Sequence, residues 1–231
     1  MVEPRGLGGG SSGAGSFDKE TLAAEVADLL GRLHVREFAV IGHDWGGTIG
    51  FLLAADLRSR VRALVVEEEL LPGSSVMIPE PGRSHYPTWH GPFNRAPGLA
   101  EVMVPDREDA YYGTFLRQSA GPVPLEGDAE RQYVQAYRAS SCLAASIGYY
   151  RTPEADARSV ESRARSPIDV PVLTVGGRFG MGTAVAECFA TVARDVTHQQ
   201  MDAAGHYPVE QQPEIANASI VSFLLHHLGT S

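Results

Sequence analysis

The stretch IGHDWGG at residues 41–47 limits the folds open to this chain more than any other. A β-branched and aromatic run, REFAVIG, leads into it, and an apolar run of helical character, GGTIGFLLAADL, leads out. A strand that passes through a glycine-bounded turn straight into a helix must turn a tight corner, and the side chain at the apex, Asp44, is thrown clear of both elements. Gly42 and Gly46 are expected to be glycine because a Cβ at either would strike the neighbouring helix and strand. A second strand, Ala63–Val66 within VRALVVEEELLPG, follows, and the order helix, strand, helix, strand with short links points to a parallel α/β sheet.

The rest of the chain divides by rhythm. GLGGGSSGAGS at 6–16 has the composition of a flexible loop, and FDKETLAAEVADLLGRLH then sets Leu22, Val26, Leu29, Leu30 and Leu33 at helical spacing, with Ser16 or Asp18 as N-cap. From Ser74 to Ser166 prolines, glycines and aromatics dominate, with helices expected near 99–119 and 128–149 and no strand. The α/β alternation returns in VPVLTVGG, TAVAECFATVA, DVTHQQM and a last helix from Pro213 to Leu228. The expected organisation is an α/β core, residues 1–73 and 167–231, carrying a helical lid at 74–166 that is long enough to form a small domain.

Composition excludes several classes of function. A net charge of −9 and a pI near 5.3 argue against nucleic acid as a partner. No apolar run approaches the roughly 18 residues of a membrane span, and the first residues lack the pattern of a signal peptide, so no membrane association and a cytoplasmic location are expected. Cys142 and Cys188 lack the spacing of a zinc site or a disulfide framework, and neither a metal nor an organic cofactor is expected.

The apical aspartate suggests the chemistry. A carboxylate is already ionised near neutral pH and needs no base to become a nucleophile; it suits displacement at a saturated carbon, which leaves an ester on the protein. The plainer reading of Asp44 is a helix N-cap. Hydrolysis of the ester would need a base and a group to orient it. His206, in AAGHYPVEQQPE after the last strand, is the candidate base; His43, His90, His226 and His227 are its competitors. The loop after VPVLTVGG reads GGRFGMG and has no carboxylate, whereas the strand before it ends in Glu67, Glu68 and Glu69. Strand alternation would send Glu67 and Glu69 to one side and Glu68 to the other. Glu68 is taken as the orienting acid, with a solvated turn as the alternative account of its neighbours.

With these residues in place the chain resembles the epoxide hydrolase group of α/β-hydrolases, relatives of the haloalkane and fluoroacetate dehalogenases. GHDWGG, RGLGGGSS at 5–12 and AAGHYPVEQQPE carry the likeness, which extends over essentially the whole chain. It implies Asp44 as nucleophile, His206 as base and Glu68 as acid, with the Trp45 N–H as an oxyanion donor. Tyr150 in GYYRTPE resembles one of the two lid tyrosines that protonate the epoxide oxygen, and Trp89 and His90 occupy the segment of the other. Tyr86, Trp89, Phe93, Tyr111, Tyr112, Phe115, Tyr149 and Tyr150 give the lid an aromatic character that points to a hydrophobic, aromatic epoxide as partner, though such residues equally form a helical lid's own core. A haloalkane or haloacid dehalogenase on the same triad, and an impaired homologue that only binds small molecules, are the alternatives. The group also carries strands and an HG-x-P turn before RGLG that this sequence does not show, which implies an N-terminally incomplete sheet. The exposed edge that results would favour a homodimer.

Overall fold

The computed structural model describes residues 2–7, 15–79, 86–138 and 140–229; most of the glycine- and serine-rich stretch at 6–16 lies outside them. The chain runs through α1 (Lys19–Arg32), β1 (Phe38–His43), α2 (Trp45–Asp56) and β2 (Val61–Glu67) before it leaves the sheet. Among the described residues the excursion is helical: α3 (His90–Arg95), α4 (Leu99–Met103), α5 (Glu108–Ala120), α6 (Ala129–Tyr137), α7 (Ser140–Gly148) and α8 (Pro153–Ala164). It returns through β3 (Val172–Gly177), α9 (Ala184–Phe189), β4 (Val196–Met201), α10 (Pro208–Gln211) and α11 (Pro213–Leu228).

The strands form one sheet in the order β1-β2-β3-β4, and every neighbouring pair is parallel. Parallel strands covered on both faces read as continuous apolar runs. Ala63–Val66 and Val172–Val175 do so and are buried. On one face Leu64, Val66 and Val172 pack against α1, α2, α8 and α9 through Leu22, Phe51, Val160 and Phe189. On the other, Val65, Leu173 and Val175 meet Ala216 and Ile220 of α11. Each such side chain contributes about 1.5–3 kcal/mol relative to leaving it in water. β1 is one edge of this sheet, and Ile41 on it is 53% exposed.

Asp18, one of the two expected N-caps, takes the Thr21 N–H at 2.8 Å and starts α1. Helices α4 to α7 bury a cluster of their own, Ala100, Tyr112, Leu116, Val134 and Ile147. Helix α8 lies within the expected lid, yet it packs on the core: Val160 joins the core cluster, and Arg163 reaches Glu20 of α1 at 2.7 Å and Asp56 of α2 at 2.8 Å. This helix is not among those expected from the sequence, although Pro153 at its first turn, followed by Glu154 and Asp156, marks its start.

Beneath α8 lies a buried ion pair that no pattern announced. Lys19 and Asp156 are both buried, with Lys19 at 0% exposure. The ammonium sits 3.0 Å from Asp156 Oδ2, donates to the Tyr149 carbonyl, and lies 3.9 Å from the centre of the Trp45 ring.

Candidate active site

The corner at Asp44 is as sharp as the sequence required. Asp44 has φ 51° and ψ −132°, a strained conformation for a residue with a side chain. A Cβ on Gly42 would come within 2.2 Å of the Gly46 carbonyl oxygen. The expectation for Gly46 is corrected: a Cβ there would meet nothing within 4 Å, because Gly46 borders the cavity. The crowded position on the helix is Gly47, where a Cβ would lie 2.8 Å from Val66 and 2.9 Å from Glu69.

The Asp44 carboxylate is held at both oxygens. Oδ1 accepts the Trp45 N–H at 2.6 Å, and Oδ2 lies 2.8 Å from His206 Nε2. On its other side the imidazole places Nδ1 3.3 Å from Glu68 Oε2. His206 therefore bridges two carboxylates. Its burial pulls its pKa down, but the hydrogen bonds and charges of Asp44 and Glu68 outweigh that and raise it above the ordinary histidine value. Asp44 shows the reverse balance: burial favours its neutral form, yet the hydrogen bond and charge of His206, the His43 ring and the Trp45 N–H hold it below the usual carboxylate range.

Glu68 reaches the base because the strand stops before it. β2 ends at Glu67, and Glu68 turns to φ 49°. This breaks the alternation expected of the three glutamates. Glu69 swings to the α2 face and hydrogen-bonds Thr48, whereas Glu67 stays opposite. Nor is the run a solvated turn, for Glu67, Glu68 and Glu69 are 6%, 0% and 4% exposed. The GGRFGMG loop, which supplies no acid, serves as a cradle for one: Glu68 Oε1 accepts the Gly177 N–H at 2.7 Å, and Oε2 accepts that of Met181 at 2.8 Å. A Cβ on Gly180 would sit 2.1 Å from Glu68 Oε2, so the glycine there makes room for the carboxylate.

The loop that carries His206 is anchored from two sides. The His206 N–H donates to the Ser119 carbonyl near the end of α5 at 2.9 Å, and Gln211 joins Gly205 N to the Ala120 carbonyl, each at 2.8 Å. His43, a competitor for the role of base, gives its Nε2 to the His206 carbonyl at 2.6 Å, and burial lowers its pKa to about 4. It is a neutral support for the base loop. His226 and His227 lie in the last turn of α11 and do not border the cavity.

Above Asp44 lies a cavity of about 690 Å³, within the range of small-molecule sites. Trp45, His90 and Tyr150 border it, with the Tyr150 ring edge-on to Trp45 at 5.6 Å and to His90 at 5.4 Å. The Tyr150 hydroxyl makes no hydrogen bond among the described residues, and burial together with the Asp44 charge pushes its pKa well above 10. His90 is buried, which lowers its pKa to about 4, and its Nδ1 makes no well-formed hydrogen bond. Trp89 does not join them. It is 37% exposed, its Nε1 donates to Gln118 at 2.7 Å, and it does not border the cavity, so the expectation that it binds the epoxide oxygen is corrected. The Tyr86 ring, one of the lid aromatics, lies 4.6 Å from that of His206, whereas sequence reasoning missed two further tyrosines, Tyr137 and Tyr207, both cavity-lining. The position of Tyr207 directly after the base was the signal for one of them.

Among the described residues no group of three or more potential metal ligands occurs, and no helix is long and apolar enough to cross a membrane.

Residues 1–213 match the family profile described as alpha/beta hydrolase fold, and the chain belongs to that family of hydrolases. A soluble epoxide hydrolase of Corynebacterium sp. (strain C12) is 25% identical over 227 residues, 95% of this chain and 78% of that protein. Among solved structures, Cfl2 from Burkholderia cenocepacia superposes with a TM-score of 0.87 at 25% identity, covering 96% of this chain and 76% of its own. The epoxide hydrolase CorEH superposes at 0.84 with 24% identity, covering 96% and 80%. The chain is thus an α/β-hydrolase that is similar in sequence to a soluble epoxide hydrolase.

Proposed function

We propose that the protein opens an epoxide to a vicinal diol through an alkyl ester on Asp44. The observation that carries this is the split duty of the carboxylate, Oδ1 on the Trp45 N–H at 2.6 Å and Oδ2 against His206 at 2.8 Å. Oδ2 attacks one epoxide carbon, the C–O bond breaks, and the departing oxygen takes a proton from the Tyr150 hydroxyl, with His90 beside it. Burial keeps that hydroxyl protonated until the alkoxide forms. Esterification removes the Asp44 charge that held the proton on His206, so the imidazole releases it to restore Tyr150 and becomes a free base.

His206, oriented by Glu68, then takes a proton from water as the water attacks the Asp44 carboxyl carbon. The oxyanion develops on Oδ1, where the Trp45 N–H already points. Collapse expels the diol oxygen, which takes the remaining proton, and the anionic Asp44 again faces a protonated His206.

Two features weigh against dehalogenation. The Trp89 indole N–H is committed to Gln118 and offers nothing to a halide. No Lys or Arg is among the described residues that line the cavity, so a haloacid carboxylate finds no cation there. A single turnover in ¹⁸O-labelled water tests the reading: label should enter Asp44, and the diol should carry an unlabelled carboxylate oxygen. Label in the new diol hydroxyl on first turnover would exclude the ester. Halide release from haloalkanes without diol formation from epoxides would exclude the substrate.

A further inference from the structure

Glu67 has no part in the chemistry above, yet it lies beside it. It is the β2 partner of His43 in the sheet register, and its backbone carbonyl accepts the Asp44 N–H at 3.0 Å. Its side chain borders the cavity, is 94% buried by its 6% exposure, and makes no hydrogen bond or ion pair among the described residues. A carboxylate left with so little contact with water and no partner is costly, and the usual resolution is a cation or a proton.

The surroundings supply no cation. His206 is the one charged imidazole nearby and is shared between Asp44 and Glu68. His43 is held neutral by burial. Lys19 is paired with Asp156 on the far side of Trp45. A third carboxylate, Glu210, also borders the cavity and takes a hydrogen bond from Tyr133. The wall otherwise offers aromatic faces, among them Tyr207, whose ring is 5.8 Å from that of His43. With His206 already shared between two carboxylates and no Lys or Arg among the described lining residues, the carboxylates and π-faces form a chamber that favours positive charge.

We infer that Glu67 is the anionic half of a binding subsite for a cationic nitrogen, and that the epoxides this protein prefers carry an ammonium group close to the ring. The nitrogen supplies the missing countercharge to Glu67, and the tyrosine faces enclose its alkyl groups. Burial, reinforced by Glu68 and opposed by His206, raises the Glu67 pKa to about 7, so an arriving cation displaces a proton that the empty site partly holds. The titratable groups around it are His43 and Asp44 on the elbow, Glu68 just past the end of β2 and His206 on the loop after β4. The inference rests on the reading of Asp44 as nucleophile only for where the ring must lie.

Binding of unreactive probes tests it apart from turnover. The probes are choline, its neutral isostere in which tert-butyl replaces trimethylammonium, and the anion tert-butylacetate. By calorimetry at pH 7 choline should bind at least about tenfold more tightly than the neutral isostere, with the anion weakest. Choline binding should also release protons, seen as heats that differ between buffers of unlike ionisation enthalpy. In Glu67→Gln, checked for folding by its thermal midpoint, the advantage of choline should fall to within about threefold. Equal affinities in the unaltered protein, which need no variant to measure, or an advantage that survives Glu67→Gln, would overturn the subsite. Turnover of glycidyltrimethylammonium and neopentyloxirane separates the two readings. Diol from both at equal efficiency removes the cation preference alone. Choline selectivity without diol from either removes epoxide hydrolysis alone.

Discussion

The buried pair of Lys19 and Asp156 lends itself to a quantitative test. Asp156 accepts three hydrogen bonds, from the Lys19 N–H at 2.8 Å, the Lys19 ammonium at 3.0 Å and the Thr152 hydroxyl at 2.8 Å. Asp156→Ala removes all three and leaves an ammonium at 0% exposure in contact with the Tyr149 carbonyl and two aromatic rings, with Glu69 and Asp44 as more distant countercharges. Stranding one member of a buried pair costs about 3–5 kcal/mol, whereas replacing both by apolar side chains of similar volume is often neutral or better. Asp156→Ala should therefore lower stability by about 3–5 kcal/mol, or about 6–20 °C in Tm for a chain of this size. Lys19→Met combined with Asp156→Leu should recover most of the loss. Urea unfolding followed by circular dichroism at pH 7 measures the cycle. A cost below about 1 kcal/mol for Asp156→Ala, or a double variant as unstable as the sum of the singles, would refute the argument that this pair is buried and mutually dependent.

Other outcomes follow from the site. His206→Ala should still form the Asp44 ester but hydrolyse it slower by about 10²–10⁴-fold, so intact mass after mixing with epoxide should show the trapped adduct; a variant that turns over without accumulating it would contradict the role of base. Tyr150→Phe should slow ester formation by about 10²-fold while leaving hydrolysis of a preformed ester nearly unchanged, as rapid-quench kinetics would separate. Gly42→Ala would place a Cβ 2.2 Å from the Gly46 carbonyl and should abolish activity, whereas Gly46→Ala, which meets no protein atom within 4 Å, should fold normally; equal stability of the two would count against the geometry. Glu67 binds a proton more tightly folded than unfolded. Its stabilising share is thus complete below about pH 4.5 and is lost as pH rises through about 7. Glu67→Gln should accordingly gain on the order of 2–3 kcal/mol over the unaltered protein between pH 5 and pH 8.5. A difference that does not change with pH would show that Glu67 titrates normally.

Much of this was legible because the determinants are local. The elbow needs only a strand, a helix and the glycines between them, and the last helix was marked by Pro213 at its first turn. The orienting acid could be sought at Glu68 because the next loop lacks a carboxylate, although alternation misplaced its neighbours: a single positive φ at Glu68 resets the pattern, and no propensity of glutamate foretells that. Lys19 and Asp156 meet across 137 positions, and neither residue type at its own position implies the other. Trp89 and His90 show the same limit. Either of these neighbours at the start of α3 was expected to assist Tyr150, yet His90 borders the cavity and Trp89 reaches Gln118, a choice made by α5 and not by their own segment.

The anchoring of the base loop bears on how the cavity can be filled. Ser119 and Ala120, at the end of α5, hold the backbone of His206 and the side chain of Gln211, so the roof and the His206 loop share one anchor point. A wholesale swing of the helices would drag the His206 imidazole off Asp44, and each cycle of opening would take apart the contacts among Asp44, His206 and Glu68. A ligand that threads between side chains while α5 stays still leaves those contacts assembled.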